Sequence, residues 1–433
     1  MISVLGSSWP LLLGLFMLMM GNGVQGTLLG IRGSIEGFST FQMSLIMSAY
    51  FVGFLGGSRL APEMIRRVGH VRVFAALGST ISAILILYPA LVEPWAWIIG
   101  RIVIGFCFSG VYVTAESWLN NSSTNETRGQ ALSLYMLVQV GGIVVAQYVL
   151  LLSDAGGFIL FIIPSVLVSL AFAPILLSIS PTPAFGSTKP MNLRGLIETS
   201  PLAAVNLVLL GGVFAAQFGM AAVYATQIGL SIPEISVFVS AIYMAALISQ
   251  YPIGWLSDRI DRRKLIIAIS AIGGAGAFVG FLLPPSFAVL IFSAALIGGT
   301  TNPLYALIIA YANDFLEPED MAAASAGFVF INGVGAIAGP VVVGYMMRTI
   351  GPSGFWLFIT ILMEAVALYG IYRMVRRPAT GAAAGHVPYA RVLATASPVA
   401  VGYAQEVYIE AEAEMDAQAP EAGTGTGTDG KVL

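Results

Sequence analysis

Runs of about 20 apolar residues, separated by short polar breaks, repeat along almost the whole chain. A helix of about that length crosses the roughly 30 Å of hydrocarbon in a bilayer, where every backbone amide must be bonded within its own segment. Twelve such runs lie near residues 9–31, 41–58, 73–92, 96–118, 131–152, 158–178, 201–228, 235–256, 265–283, 287–311, 322–347 and 355–372. They predict an all-α integral membrane protein with twelve transmembrane helices. The first run is expected to remain as a span, because no basic residue precedes it and no small-residue cleavage site follows a short apolar core.

Composition agrees with this reading. With 57% hydrophobic and 9% charged residues and a mean hydropathy of +0.87, 433 residues carry more apolar surface than a soluble core could hide. The lone cysteine, Cys107, falls inside the fourth run, so neither a disulfide framework nor a thiol metal site is expected. His70 and His386 lie outside the runs, and no metal site or cofactor is predicted.

Charge orients the spans. With both termini in the cytoplasm, Arg59, Arg66, Arg67, Arg72, Arg128, Lys189, Arg194, Arg259, Arg262, Arg263, Lys264, Arg373, Arg376 and Arg377 all fall inside. Only Arg32 and Arg348 fall in outer loops. Positive charge is retained on the cytoplasmic side during insertion, so this asymmetry predicts cytoplasmic termini. The segment after Arg377 has no spanning run and holds seven acids against two bases. The body has seventeen bases and fifteen acids, so the acidity of the chain belongs to its tail. Residues 378–433 therefore read as a disordered acidic cytoplasmic tail.

The chain also repeats itself. "PEMIRRVGHVR" (62–72) after the second run aligns with "GWLSDRIDRRK" (254–264) after the eighth at a shift of 192 residues. Glu116 before Gly129 matches Asp314 before Gly327 at a shift of 198. Six spans duplicated in parallel follow: an N-terminal bundle over 1–180, a central cytoplasmic loop over 181–200 and a C-terminal bundle over 201–377.

"GWLSDRIDRRK" resembles the signature loop of the major facilitator superfamily, Gly-x-x-x-Asp-Arg-x-Gly-Arg-Arg-Lys, with Asp261 in place of the third glycine. "RIVIG" (101–105) is similar to the family's Arg-x-x-x-Gly element, and "GAIAGP" (335–340) to its Gly-Pro motif. The resemblance covers nearly everything except the tail and implies two pseudo-symmetric six-helix bundles. Two departures bear on function. The first-half loop has Arg66 where the family carries an aspartate, and the Gly-Pro element lies in span eleven rather than span five, which weighs against a multidrug exporter. The swapped charge suggests that Arg66, Arg67 or Arg72 pairs with the acids of "NDFLEPEDM" (Asp314, Glu317, Glu319, Asp320) when the cytoplasmic gate shuts. The other reading is that these arginines only set topology.

Candidate site residues follow from this architecture, in which spans one, four, seven and ten line the cavity. The substrate pathway is expected to use Asn22, Gln25, Arg101, Tyr112, Gln217, Tyr224, Gln227, Thr300, Asn302 and Tyr305, with Gln139 from span five. These amides, hydroxyls and phenols suit a small polar solute, although each also suits an interhelical hydrogen bond. The cytoplasmic gate is expected to use Arg66, Arg67, Arg72, Glu116, Arg128, Asp258, Arg259, Arg262, Asp314 and Glu317. Asp258 is expected to accept hydrogen bonds at the start of span five or to pair with Arg128. Charge within a span is costly, which singles out Arg101 and Glu364. Arg101 suits an anionic group, a structural bond or a proton-linked role; Glu364 suits proton coupling or a buried hydrogen bond.

No paired catalytic carboxylates, His-rich cluster, nucleophile with a base, or phosphate-binding Lys-Ser/Thr loop occurs in the spans, so neither an enzyme nor an ATP-driven pump is expected. The chain reads as a secondary active transporter or facilitator, proton-linked or not. The alternative is a transporter-derived sensor that binds without turnover. Its expected partners are the lipid bilayer and a small molecule, with no nucleic acid, as a monomer in a bacterial inner membrane.

Overall fold

The structure, a computed structural model, describes residues 2–122, 125–176, 193–316, 318–376 and 391–406. Among the described residues, eleven helices are long and apolar enough to span a bilayer, and a twelfth apolar helix is shorter. In chain order they are α1 (Ile2–Ile35), α2 (Thr40–Val68), α3 (His70–Ala90), α4 (Pro94–Ser122), α5 (Asn125–Val149), α6 (Ile159–Leu170), α7 (Pro201–Gln227), α8 (Ile232–Ser257), α9 (Arg262–Leu282), α10 (Phe287–Asn313), α11 (Pro318–Ile350) and α12 (Gly354–Arg376). The predicted runs therefore map one to one onto helices.

Several helices outlast their apolar runs. α2 continues through "SRLAPEMIRRV" until Gly69, whose φ of 88° suits a residue without a Cβ. The expected central loop contains a short helix, Leu193–Thr199, with Leu196 buried against Gly327 of α11. Residues 177–192 lie outside the described residues.

The duplication extends to backbone detail. Ser39 and Gln42 form a reciprocal capping box at the start of α2, and Ser231 and Glu234 form the same box at α8, 192 residues later. Gly37 (φ 76°) and Gly229 (φ 81°) precede them at the same interval. The tightest helix crossings repeat as well. A Cβ at Gly105 would overlap the Tyr50 carbonyl across α4 and α2, and one at Gly298 would overlap Ile242 across α10 and α8. Likewise Gly142 of α5 rides on Phe16 of α1, and Gly335 of α11 on Val208 of α7. Association in lipid relies on close packing rather than on a hydrophobic driving force, so small residues at such crossings let the backbones meet.

The charged hairpin between α8 and α9 is built the same way from local chemistry. Arg262, 2% exposed, bonds the Asp314 carboxylate, the Ala310 carbonyl (3.3 Å) and the Ser257 hydroxyl (3.3 Å), fastening the hairpin to the end of α10. Its counterpart 192 residues earlier, His70, sits 3.0 Å from Ser117 of α4. Asp261, at the position of the family's glycine, caps α9 by accepting from the Arg263 amide at 2.8 Å.

Partial burial pushes the Asp261 carboxyl up, but bonds from the side chain and backbone of Arg263 outweigh it and hold the group below the usual aspartate range. Asp261→Ala is expected to cost about 1 kcal/mol through the lost cap, read as a lower thermal midpoint at neutral pH. A depressed pKa contributes stability above the unfolded value of about 3.9 and loses it as pH falls through the folded value. The two proteins should therefore converge in acid.

Candidate functional site

The two halves meet along α1, α2 and α5 on one side and α7, α8 and α11 on the other. Near the middle of these helices a cleft is lined by Asn22, Gly26 and Thr27 of α1, Gln147 of α5, Gln217 and Phe218 of α7 and Tyr243 of α8. It encloses about 10 Å³, about the room one water needs. With so little space, its polar groups bond one another. Asn22 donates to the Tyr112 hydroxyl (3.1 Å), Gln25 donates to Asn22 (3.2 Å), Thr27 donates to Gln147 (2.9 Å) and Gln217 donates to Thr301 (2.8 Å). Such neutral pairs can exchange partners with a hydroxyl- or amide-bearing solute without leaving a buried charge behind.

The local backbone of α7 aims Gln217 into this cleft. Residues Ala216–Met220 form a single π-turn, an insertion that often marks a functional position in a helix. Within it, Gly219 lets Met47 of α2 approach closely.

Arg101 stands behind Met47. It is fully buried, with its guanidinium carbon 4.7 Å from the centre of the Tyr50 ring and one nitrogen 3.6 Å from the Met47 sulfur. Its Nε and Nη1 have no hydrogen-bond partner among the described residues. The cation is therefore held by a ring face and a thioether, both weaker than an anion.

Beyond the cleft the halves touch on one side and part on the other. Towards the face opposite the charged hairpins, Gln227 donates to Thr40 (2.6 Å), Ser48 donates to the Ile337 carbonyl (2.6 Å), and Gly30 and Gly344 abut Ala222 and Ser44. That face is shut. On the face carrying the hairpins, the space between the halves is filled by residues 391–406, a folded segment within the stretch expected from composition to be disordered.

This segment bridges both halves. Arg391 donates to Ser133 of α5 (3.3 Å) and lies over the Tyr251 ring of α8, while the Ala394 carbonyl accepts from Asn332 of α11 (3.4 Å). Residues 398–406 are helical. The buried Glu116 carboxylate of α4 accepts from the Ser397 hydroxyl, the Ser397 amide (3.4 Å), the Ala400 amide (3.2 Å) and Tyr135 of α5 (2.5 Å). Gln405 donates to Asn313 of α10 (3.0 Å) and accepts from Ser325 of α11 (2.5 Å). The segment folds because residues 392–405 carry no charge. The acids that dominate the tail begin at Glu406, and residues 407–433, like 377–390, lie outside the described residues.

The sequence candidates sort accordingly. Asn22, Gln25, Tyr112 and Gln217 converge at the cleft. Gln139 lies one turn from Tyr135, beside the Glu116 cluster. Tyr224 instead stacks on Phe355 at 4.9 Å within a ring cluster of the second half, and Gln227 belongs to the shut face. Thr300 returns its hydroxyl to Leu296 and packs on Gly273 of α9. Asn302 and Tyr305 are buried in α10 without lining the cleft. Glu364 abuts Gly274 of α9, between outer helices of its bundle rather than at the cleft.

Among the gate candidates, Arg66 and Arg67 are taken up by Glu63 of their own helix, at 3.0 and 2.7 Å, and Arg72 is exposed. Asp314 is bonded by Arg262 of its own half, and the side chain of Glu319 lies outside the described residues. Arg259 covers its own Trp255 at 4.0 Å, and Asp258 caps the end of α8. The side chains of Arg128 and Glu317 lie outside the described residues. Thr27, Tyr50, Tyr243 and Asn332 were not singled out from sequence; single hydroxyls and amides in apolar helices carry no signal until the helices are placed.

Comparison with known proteins supplies the wider context. The Major Facilitator Superfamily model matches residues 11–224 and 202–404. The uncharacterized MFS-type transporter YcaD of Escherichia coli O6:K15:H31 (strain 536 / UPEC) is 24% identical over 383 residues, 87% of this chain and 96% of its own. An uncharacterized MFS-type transporter of Yersinia pestis (strain Pestoides F) is 24% identical over 375 residues, covering 85% and 95%. Among solved structures, a mutant of the nucleoside transporter NupG superposes with a TM-score of 0.73 at 14% identity, covering 84% of this chain and 99% of NupG. A variant of the E. coli fucose:proton symporter FucP superposes with a TM-score of 0.55 at 14% identity, covering 84% and 97%.

Proposed function

The chain belongs to the major facilitator superfamily, whose model matches both of its halves, and from that premise we propose that it carries a small polar, uncharged or zwitterionic solute across the membrane by alternating access. Its family and its relatives make it a multi-pass transporter of small solutes and not an enzyme. The observation that carries the finer reading is the cleft between the halves, where Asn22, Thr27, Gln147, Gln217 and Tyr112 offer neutral donors and acceptors. Rocking the halves about this cleft would open the shut face by parting Gln227 from Thr40 and Ser48 from Ile337.

The face with the hairpins is proposed to be cytoplasmic, on the weight of its arginines and lysines. Both termini would then be cytoplasmic. Arg101, buried beside the cleft with two unpartnered nitrogens, adds a positive potential that favours solutes with a partial or full negative group. The neutral cleft itself offers no carboxylate for proton exchange, so facilitated or differently coupled transport is the simpler reading.

NupG carries nucleosides and FucP fucose with a proton, and both solutes are rich in hydroxyls. These are the first to test. Purified protein in liposomes, offered labelled uridine, fucose, other sugars, amino acids and organic acids, should show saturable uptake of at least one. Binding without flux across the panel would favour a sensor instead.

A further inference from the structure

We propose that residues 391–406 are an intramolecular ligand of the mouth on the charged face: a plug that wedges the halves apart there, bars solute from the cleft and must leave for transport to proceed. The seat is specific. Four helices from both halves bond the segment, through Glu116, Ser133, Asn313, Ser325 and Asn332. Below it, Leu393 packs on Met136 and Val140 of α5, and Ala394 and Thr395 reach the space lined by Tyr50, Phe54 and Phe214. A segment bonded to both halves cannot stay seated while the halves close over the same space.

Glu116 explains why the plug seats where it does. A helix leaves its first amides without intrahelical partners and presents positive potential there. The Glu116 carboxylate receives the Ser397 and Ala400 amides and the Ser397 hydroxyl, so it caps the tail helix from another part of the chain. In the same geometry Val399 donates to the Ser397 hydroxyl at 3.1 Å. With the plug gone, Glu116 would keep Tyr135 and face a water-filled mouth. The lock is therefore satisfied in both states, as a reversible device requires.

The role as a restraint rests on the transport reading above; the seat does not. The test uses the full chain with Cys107→Ala and Val329→Cys. Val329 is buried on α11 beside Ala394 and Thr395. In detergent, labelling of this thiol by a charged maleimide should be slow. It should become at least tenfold faster with Ser397→Glu, which sets a second carboxylate against Glu116, and with Gln405→Ala, which removes the bonds to Ser325 and Asn313 without adding charge. In liposomes the same two substitutions should raise the initial rate of solute uptake several-fold.

Equal labelling with and without the substitutions would overturn the seat. Faster labelling with unchanged uptake would overturn the restraint. Should no variant carry any solute of the panel, the transport reading fails, and the labelling rates still decide whether the segment is seated.

Discussion

Leucine in place of Gly26 is expected to cut solute flux at least tenfold, well beyond any fall in folded yield. Gly26 lines the cleft from α1, and a Cβ built there meets nothing within 4 Å. The first added carbon therefore costs no packing. The remaining carbons extend into the space that the Gln147 and Gln217 side chains face, where they displace solute and leave its hydrogen-bonding groups without partners. Alanine at the same position is the control, with a small effect on flux. Yield is read by size-exclusion of detergent-solubilised protein and flux from liposomes, so that loss of passage is separated from loss of fold.

Valine in place of Gly335 is expected to have the opposite signature: folded protein is lost altogether. A Cβ there would overlap the Val208 carbonyl of α7, closer than real Cβ atoms approach a backbone. No side-chain rotamer can relieve a clash with backbone, so α7 and α11 must separate along their length. Overpacking of a core costs about 1–3 kcal/mol where side chains can adjust, and the cost here should exceed that range. Recovery of less than a tenth of the wild-type monodisperse peak is the expected reading. At the pseudo-equivalent crossing a Cβ on Gly142 would lie 2.6 Å from the Met19 Cβ and 2.9 Å from the Phe16 carbonyl of α1, so Gly142→Val should lose folded protein to a smaller extent.

Much of this architecture is legible in the chain because the bilayer imposes strong rules. Spans announce themselves by length and hydropathy, and the hairpin "GWLSDRIDRRK" carries enough charge to stand out and to align with its first-half partner. The interval of 192 residues found there recurs at the capping boxes of Ser39 and Ser231, which are too short to be noticed without the backbone.

The site is less legible. Asn22 and Gln217 are seen because amides are rare in apolar helices, yet Thr300 and Tyr224 look the same in sequence and turn inward to their own half. The difference is a matter of helix rotation, which periodicity cannot fix when helices are apolar on nearly every side. The π-turn at Ala216–Met220 changes that rotation midway along α7 and leaves no compositional trace.

The tail shows a different limit. Its acidic composition describes residues from Glu406 onward, while the uncharged stretch 392–405 is apolar enough to bury but too short to read as a span. Averaging over 378–433 hides it. Similarly, Asp314 looks available in sequence to the arginines after α2, and in the fold it bonds Arg262 of its own half.

The account rests on the two halves parting at the face now shut. The Gln227 amide donates to the Thr40 hydroxyl at 2.6 Å across that face, and cysteines in their places, in a chain with Cys107→Ala, can be bridged by a short, reducible bis-methanethiosulfonate reagent. Uptake of the carried solute into liposomes should stop when the pair is bridged and return when the bridge is reduced. Undiminished uptake by fully cross-linked protein would contradict alternating access through the cleft between the halves.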